Sequence, residues 1–110
     1  MSAKRKQLES EFQKSLIKDL YELLPGALIY KNETLQGLPD LTVLWNEHWA
    51  LLECKREEKA SKRMNQPYYV ERANQMSFGR FIYPENKQEV LNDLQQAFGL
   101  SGKTCNPESE

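Results

Sequence analysis

The stretch that decides the fold reads GLPDLTVLWNEHWALLECK, residues 37–55. Two apolar runs separated by a short polar break, as here, are typical of a β-hairpin. Asp40 precedes the first run, and Glu53 and Lys55 end the second. Because isolated charges are costly to bury at the margin of an apolar hairpin, we expect these three side chains to act together.

Alternation along the second run decides which side chains share a face of the strand. Glu53 and Lys55 are predicted on one face, with Leu52 and Cys54 on the other. Asp40, at the start of the preceding strand, can converge on the face of Glu53 and Lys55. Two carboxylates beside a lysine suit a hard divalent cation held next to a phosphate. The alternatives are an ordinary turn aspartate after proline and a cross-strand ion pair at the sheet edge.

The hydrophobic pattern of the whole chain predicts one α/β domain with element order α-β-β-β-α-β-α. In order, the predicted elements are a helix over 8–24, a strand over 27–30, the hairpin strands over 41–45 and 49–54, a helix beginning at Pro67, a strand over 78–83 and a helix opening at 86–89. The apolar anchors predicted for the second helix are Tyr69, Val70, Ala73 and Met76. The last helix opens with capping-box spacing, and Gly99 stops it.

The pairing of Pro39-Asp40 with Glu53-Cys54-Lys55 resembles the motif of the PD-(D/E)XK nuclease superfamily. Within it, the chain is similar to the virus-type replication-repair nuclease (VRR-NUC) family, which is related to Holliday-junction resolvases. The resemblance extends to residues 9–13, Glu-Ser-Glu-Phe-Gln, and to Gln66. It spans nearly the whole chain, and the order and spacing of the motifs make the combination more specific than any one of them.

The resemblance implies a restriction-endonuclease-like fold, with a central mixed β-sheet flanked by helices. It also implies a site for Mg²⁺, or Mn²⁺ in its place. The metal ligands implied are Glu9, Asp40, Glu53 and the main-chain carbonyl of Cys54. Lys55 would orient the attacking water or neutralise developing charge. Gln66 is implied as a further catalytic residue, although its place before Pro67 also suits a helix cap.

Helix geometry distinguishes the two acids near the start of the first helix. Glu9 falls in the middle of the apolar face that includes Leu8 and Phe12, whereas Glu11 points to the solvent side. A glutamate on an apolar face needs a partner or a metal ion. The alternative is that Glu9 complements the helix dipole or extends to solvent.

The activity implied is metal-dependent hydrolysis of phosphodiester bonds by a DNA endonuclease acting on branched DNA, a Holliday junction or a flap. Members of this family commonly act as homodimers, and a domain this small offers little surface of its own for a branched substrate. A homodimer in a phage-infected or bacterial cytoplasm is therefore expected. The alternative function is a non-catalytic DNA- or protein-binding module that retains the nuclease fold.

Length and composition agree with one small domain. The chain has 110 residues and a formal net charge of −1, which argues against binding DNA by overall charge. No apolar stretch reaches the length of a membrane span, and two cysteines make no disulfide framework, which favours a reducing cytoplasm. We expect a single domain over residues 1–99 and a flexible tail over 100–110.

A basic stretch follows the proposed site directly. Residues 55–63 contain five basic and two acidic residues. The DNA-binding residues predicted here are Lys55, Arg56, Lys59, Lys62 and Arg63. Such a stretch can follow a phosphate backbone, and the alternative is a solvated loop.

Overall fold

The computed structural model describes residues 2–32, 38–55 and 66–99 of the chain, with side chains from residue 10 in the first helix and from residue 67 in the second. The elements are α1 (Ser2–Leu23), β1 (Leu28–Lys31), β2 (Leu41–Trp45), β3 (His48–Cys54), α2 (Gln66–Met76), β4 (Gly79–Ile82) and α3 (Lys87–Ala97). Their order is the predicted one. The basic residues 56, 59, 62 and 63 and the tail over 100–110 lie outside the described residues.

The four strands form one mixed sheet in the order β1-β2-β3-β4. The first three strands are an antiparallel meander, with Leu41 opposite Leu52 in the central pair. β4 runs parallel to β3, because α2 carries the chain back to the end at which β3 starts. The prediction of a central mixed sheet is confirmed.

The hydrophobic core lies between one face of the sheet and helices α1 and α3. Alternate strand residues supply the sheet side, and the apolar stripes of the two helices supply the other side. Its strand members include Leu41, Val43, Ala50, Leu52, Cys54 and Ile82. Its members in the two helices or directly after them include Leu16, Leu20, Leu24, Val90, Leu91, Leu94 and Phe98. An ion pair between Lys87 and Asp19 joins the first turn of α3 to α1.

Helix α2 packs on the opposite face, over β3 and β4, through Val70 and Ala73. Gly79 makes this close approach possible. A Cβ at that position would lie 2.8 Å from the Ala73 Cβ and would overlap the main-chain carbonyl of Val70. The prediction that Met76 anchors this helix was wrong. Around the helix axis, Met76 lies about a quarter turn from the mean direction of Val70 and Ala73, and it is 59% exposed.

Among the element boundaries that differ from the predictions, two have a clear local reason. Helix α1 begins at Ser2 rather than near residue 8, because the preceding Ala, Lys, Arg and Gln residues favour a helix even without an apolar stripe. Strand β3 begins at His48, where it pairs with Trp45, so the hairpin turn has two residues rather than three. Asn46 adopts the positive φ of 56° that such a tight turn requires.

The predicted capping box of α3 was also wrong. Asn86 is the N-cap residue, but its side chain makes no capping hydrogen bond to the helix. It bonds the main chain at the end of β4 instead. None of the helices in the described ranges is both long and apolar enough to cross a membrane.

Candidate active site

Two reciprocal hydrogen bonds between Asp40 and the end of β3 hold the carboxylates of Asp40 and Glu53, an arrangement that we call the carboxylate clasp. The main-chain N–H of Asp40 donates to Glu53 Oε1 at 3.1 Å. The main-chain N–H of Cys54 donates to Asp40 Oδ2 at 3.0 Å. Each carboxylate is therefore held by the main chain of the neighbouring strand.

The hairpin register creates this clasp. Since Leu41 lies opposite Leu52, Asp40 is carried to the position beside Glu53 at the same end of the pair. Glu53 belongs to a strand covered on both faces and is only 4% exposed, whereas Asp40 is half-buried. The structure confirms the prediction that the Asp40 and Glu53 side chains lie close together.

Asn32 holds the chain that leads to Asp40. Its main-chain N–H donates to the Asp40 carbonyl at 2.7 Å. Its side-chain amide donates to the Pro39 carbonyl and to Thr42 Oγ1, both at 2.8 Å. The start of β2 is thereby tied to the end of β1, and Asp40 stands on a supported backbone rather than on a loose loop.

Lys55 lies directly after β3 and is as deeply buried as Glu53, with 4% exposure. Its main-chain N–H donates to the Ile82 carbonyl at 2.9 Å. Leu52 and Cys54 belong to the core on the α1 and α3 side, so Glu53 and Lys55 share the opposite face, as predicted. The Lys55 Nζ stands 5.3 Å from the ring centroid of Phe81 and 5.8 Å from that of Tyr83.

The donor atoms at the clasp fit a hard divalent cation. Two carboxylates lie side by side, and carboxylate and carbonyl oxygens are the ligands that Mg²⁺ prefers. The Cys54 N–H faces Asp40, and in a strand the C=O of a residue points to the same side as its N–H. The Cys54 carbonyl therefore points toward the clasp, at the position where the resemblance implies a metal ligand.

The described residues do not complete a metal site. Among them, no group of three or more His, Cys, Asp or Glu side chains lies close enough to hold a metal ion. Glu9 is part of α1, but its side chain lies outside the described part. Gln66 is the first residue of α2, and its side chain is outside that part as well. Glu11 is exposed, as helix geometry predicts.

Burial of these charges does not leave polar atoms unsatisfied. Throughout the described ranges, every buried side-chain nitrogen and oxygen has a hydrogen-bond partner. The free energy needed to remove Glu53 and Lys55 from water is therefore partly offset by hydrogen bonds and by the neighbouring rings.

A groove of about 440 Å³ opens beside the site, between α2 and β4. Phe81 is common to the groove and to the surroundings of Lys55. The groove is lined by Pro67, Val70, Glu71, Asn74, Gly79, Arg80 and Phe81. Through Phe81, the buried Lys55 therefore adjoins a groove that is open to solvent.

Sequence reasoning missed four residues around the site, namely Asn32, Phe81, Tyr83 and Asn86. Phe81 and Tyr83 carried a usable signal, because they alternate at the end of a strand and so share a face. Asn32 carried none, since its side-chain partners lie 7 and 10 residues away in the chain. The signal at Asn86 was misleading, because an asparagine before a helix predicts a cap, whereas its side chain bonds the main chain of Phe81 and Tyr83.

No protein-family model, curated protein or solved structure matches this chain. The resemblance to the PD-(D/E)XK nucleases accordingly stays a prediction, carried by the motif residues.

Proposed function

We propose that this protein is a metal-dependent DNA endonuclease that hydrolyses phosphodiester bonds, with branched DNA as its substrate. The observation that carries the proposal is the set of Asp40, Glu53 and Lys55 at one end of the sheet, in which Glu53 and Lys55 are buried and both carboxylates are fixed by main-chain hydrogen bonds. Fixed charges of opposite sign at a sheet margin suit a reaction that develops charge on a phosphate.

Asp40, Glu53 and the Cys54 carbonyl would hold the cation, with Glu9 as the proposed further ligand. A bound divalent cation would supply a water of lowered pKa and stabilise negative charge on the phosphate oxygens. The clasp prepares the protein for this role, because its hydrogen bonds set the direction of both carboxylates before the cation binds.

Lys55 is the proposed group that orients the attacking water or stabilises charge on the phosphate. Its burial strengthens either interaction, because water does not screen a charge inside the protein as it does at the surface. The water oxygen bonds to phosphorus, the bond from phosphorus to the leaving sugar oxygen breaks, and a proton is transferred to that oxygen. The basic residues 56, 59, 62 and 63 are proposed to contact the DNA backbone.

The alternative is a binding module in which the clasp is purely structural. The reciprocal hydrogen bonds favour this reading, since they would join β2 to β3 whether or not a metal binds. The buried Lys55 favours catalysis, because a clasp between two strands has no need of a buried ammonium on the same face.

Cleavage of labelled DNAs tests the proposal. Duplex, flap, splayed-arm and four-way-junction substrates are incubated with Mg²⁺, Mn²⁺ or EDTA. We expect metal-dependent cleavage of the branched forms, and Asp40→Asn or Glu53→Gln should lower its rate by about 10³-fold or more. Glu47→Gln is the matched control, because Glu47 is exposed in the turn of the same hairpin. Cleavage at the wild-type rate by folded Asp40→Asn and Glu53→Gln would leave the binding module as the better reading.

The helix acid has its own matched pair. Glu9→Gln should lower the cleavage rate far more than Glu11→Gln, because Glu11 is exposed. Equal rates for the two variants would remove Glu9 from the site.

We also propose a homodimer, formed through the edge strand β1. The Asn32 N–H bonds to the Asp40 carbonyl, so the main-chain groups of Ile29 and Lys31 turn away from β2. Leu28 and Tyr30 are more than half exposed on this strand. An antiparallel pair of β1 strands about a two-fold axis would place Lys31 opposite Ile29 of the second copy, which avoids opposing charges of the same sign.

Sedimentation equilibrium at micromolar concentration tests this assembly. Tyr30→Lys should convert a dimer to a monomer, since a charge on an edge strand opposes pairing. Tyr68→Lys, at an exposed position on α2, is the control. A monomeric wild type, with and without junction DNA, would contradict the proposal.

A further inference from the structure

We propose that Phe81 and Tyr83 form an aromatic platform that positions the Lys55 ammonium in the candidate active site, and that Asn86 holds this platform in place. The catalytic part of this inference rests on the proposed nuclease function. The placement of the ammonium against the rings does not, and it can be tested separately.

The platform is built by one strand and the residue that follows it. Phe81 lies in β4 opposite Glu53, and its ring centroid is 5.3 Å from the Lys55 Nζ. The Tyr83 ring stands two residues later on the same face, 5.8 Å from that nitrogen. Both distances lie within the range of about 6 Å over which an aromatic ring attracts a cation.

The lysine backbone is held by the same strand. The Lys55 N–H donates to the Ile82 carbonyl, between the two aromatic residues. The main chain of Lys55 is thus held by the Ile82 carbonyl, and its ammonium is held by the two rings. Both ends of the four-carbon side chain are therefore supported by the same segment of the chain. A lysine held in this way loses less side-chain freedom when the substrate arrives.

Asn86 holds the two aromatic residues by their main chain. Its side-chain amide donates to the Phe81 carbonyl at 3.0 Å, and its Oδ1 accepts the Tyr83 N–H at 2.9 Å. Asparagine at the N-cap position ordinarily bonds to the helix that follows. Here the side chain leaves the helix uncapped and clamps the strand end instead, which points to the platform as the feature it supports.

An aromatic partner suits a lysine that must act on a substrate. A ring face attracts the ammonium more weakly than a carboxylate does. Contact with a phosphate oxygen therefore stays favourable while the rings hold the ammonium in position. The platform should act on the chemical step rather than on DNA affinity.

Phe81→Leu, Phe81→Tyr and the matched control Tyr21→Leu test the platform. Tyr21 is an exposed aromatic residue on α1. Phe81→Leu should lower kcat for the cleaved substrate by about 3- to 30-fold with little change in KM, as expected for loss of one cation–ring contact. Phe81→Tyr, which keeps a ring at this position, should retain the wild-type kcat, and Tyr21→Leu should leave kcat unchanged. Asn86→Ala should lower kcat in the same way as Phe81→Leu.

A spectroscopic measurement separates the platform from the nuclease activity. Ring currents should shift the Lys55 Hε resonances upfield in the full-length protein without metal or DNA, and Phe81→Leu should reduce this shift. A wild-type resonance at the position of an ordinary lysine would overturn the proposal, as would an unchanged kcat in Phe81→Leu. If the wild type cleaves no DNA but the shift is present and depends on Phe81, the proposed function fails while the placement of the ammonium stands.

Discussion

The two faces of β3 bury different chemistry over the same few residues. On the side of α1 and α3, Ala50, Leu52 and Cys54 enter the hydrophobic core. On the side of α2, Glu53 is the last side chain of the same strand and Lys55 follows directly after the strand, and both are as inaccessible as the core residues. Apolar burial on one face stabilises the folded state. Removal of charges from water on the other face destabilises it.

This difference shows where stability and function separate in the molecule. A buried charged group contributes little to stability compared with well-packed apolar residues of similar size. Charges on the α2 face are therefore better explained by the proposed nuclease function than by folding. Substitutions on the two faces should accordingly change different measured quantities.

The largest change in stability is expected on the core face. Leu52→Ala should lower the free energy of unfolding by about 2–5 kcal/mol, because Leu52 is fully buried and its truncation leaves a cavity. Chemical denaturation measures the loss. The matched control is Leu51→Ala, at the half-buried neighbouring position on the α2 face. An equal or larger loss of unfolding free energy in Leu51→Ala would contradict the proposed difference in stability between the two faces.

A smaller loss is expected where α2 meets the sheet. Gly79→Ala should lower the free energy of unfolding by about 1–3 kcal/mol, because its Cβ has no room beneath the helix. Gly26→Ala separates this steric effect from backbone strain, since Gly26 has a φ of 86° and open space around its Cβ. Gly26→Ala should cost about 1 kcal/mol. Wild-type stability for Gly79→Ala would show that α2 lies farther from β4 than the close approach at Gly79 indicates.

The smallest change in stability is expected when both buried charges are removed together. The double variant Glu53→Gln with Lys55→Met should unfold within about 1 kcal/mol of the wild type or be more stable, since neutral groups replace the charges. Its cleavage activity should nevertheless be lost. A loss of stability comparable to that of Leu52→Ala would mean that the charged face also supports the fold.

The order of the elements could be predicted because each has its own periodic signal. The hairpin alternation and the apolar stripe of α3 were confirmed at Val90, Leu91, Leu94 and Phe98. The packing of α2 could not be predicted in the same way. Its contact depends on Ala73 and Gly79, two small residues that carry little hydrophobic signal but allow close approach.

The candidate site was predicted in part for a similar reason. Alternation along a strand correctly placed Glu53 and Lys55 on one face, and the hairpin register brought in Asp40. The contacts that orient these groups come from β4 and the turn after it. Because β4 pairs with β3 in parallel and is separated from it in the chain by α2, no local sequence pattern predicts this pairing.

That parallel pairing also sets an order of assembly for the chain. The meander of β1, β2 and β3 brings Asp40 to Glu53 through neighbouring segments, and such local contacts form quickly. β4 can supply the aromatic rings only after α2 has crossed the sheet, a slower closure of a longer loop. We expect the carboxylates to meet before the lysine is positioned. Stopped-flow kinetics can check this order, because Val43→Ala should mainly slow folding and Ile82→Ala should mainly speed unfolding.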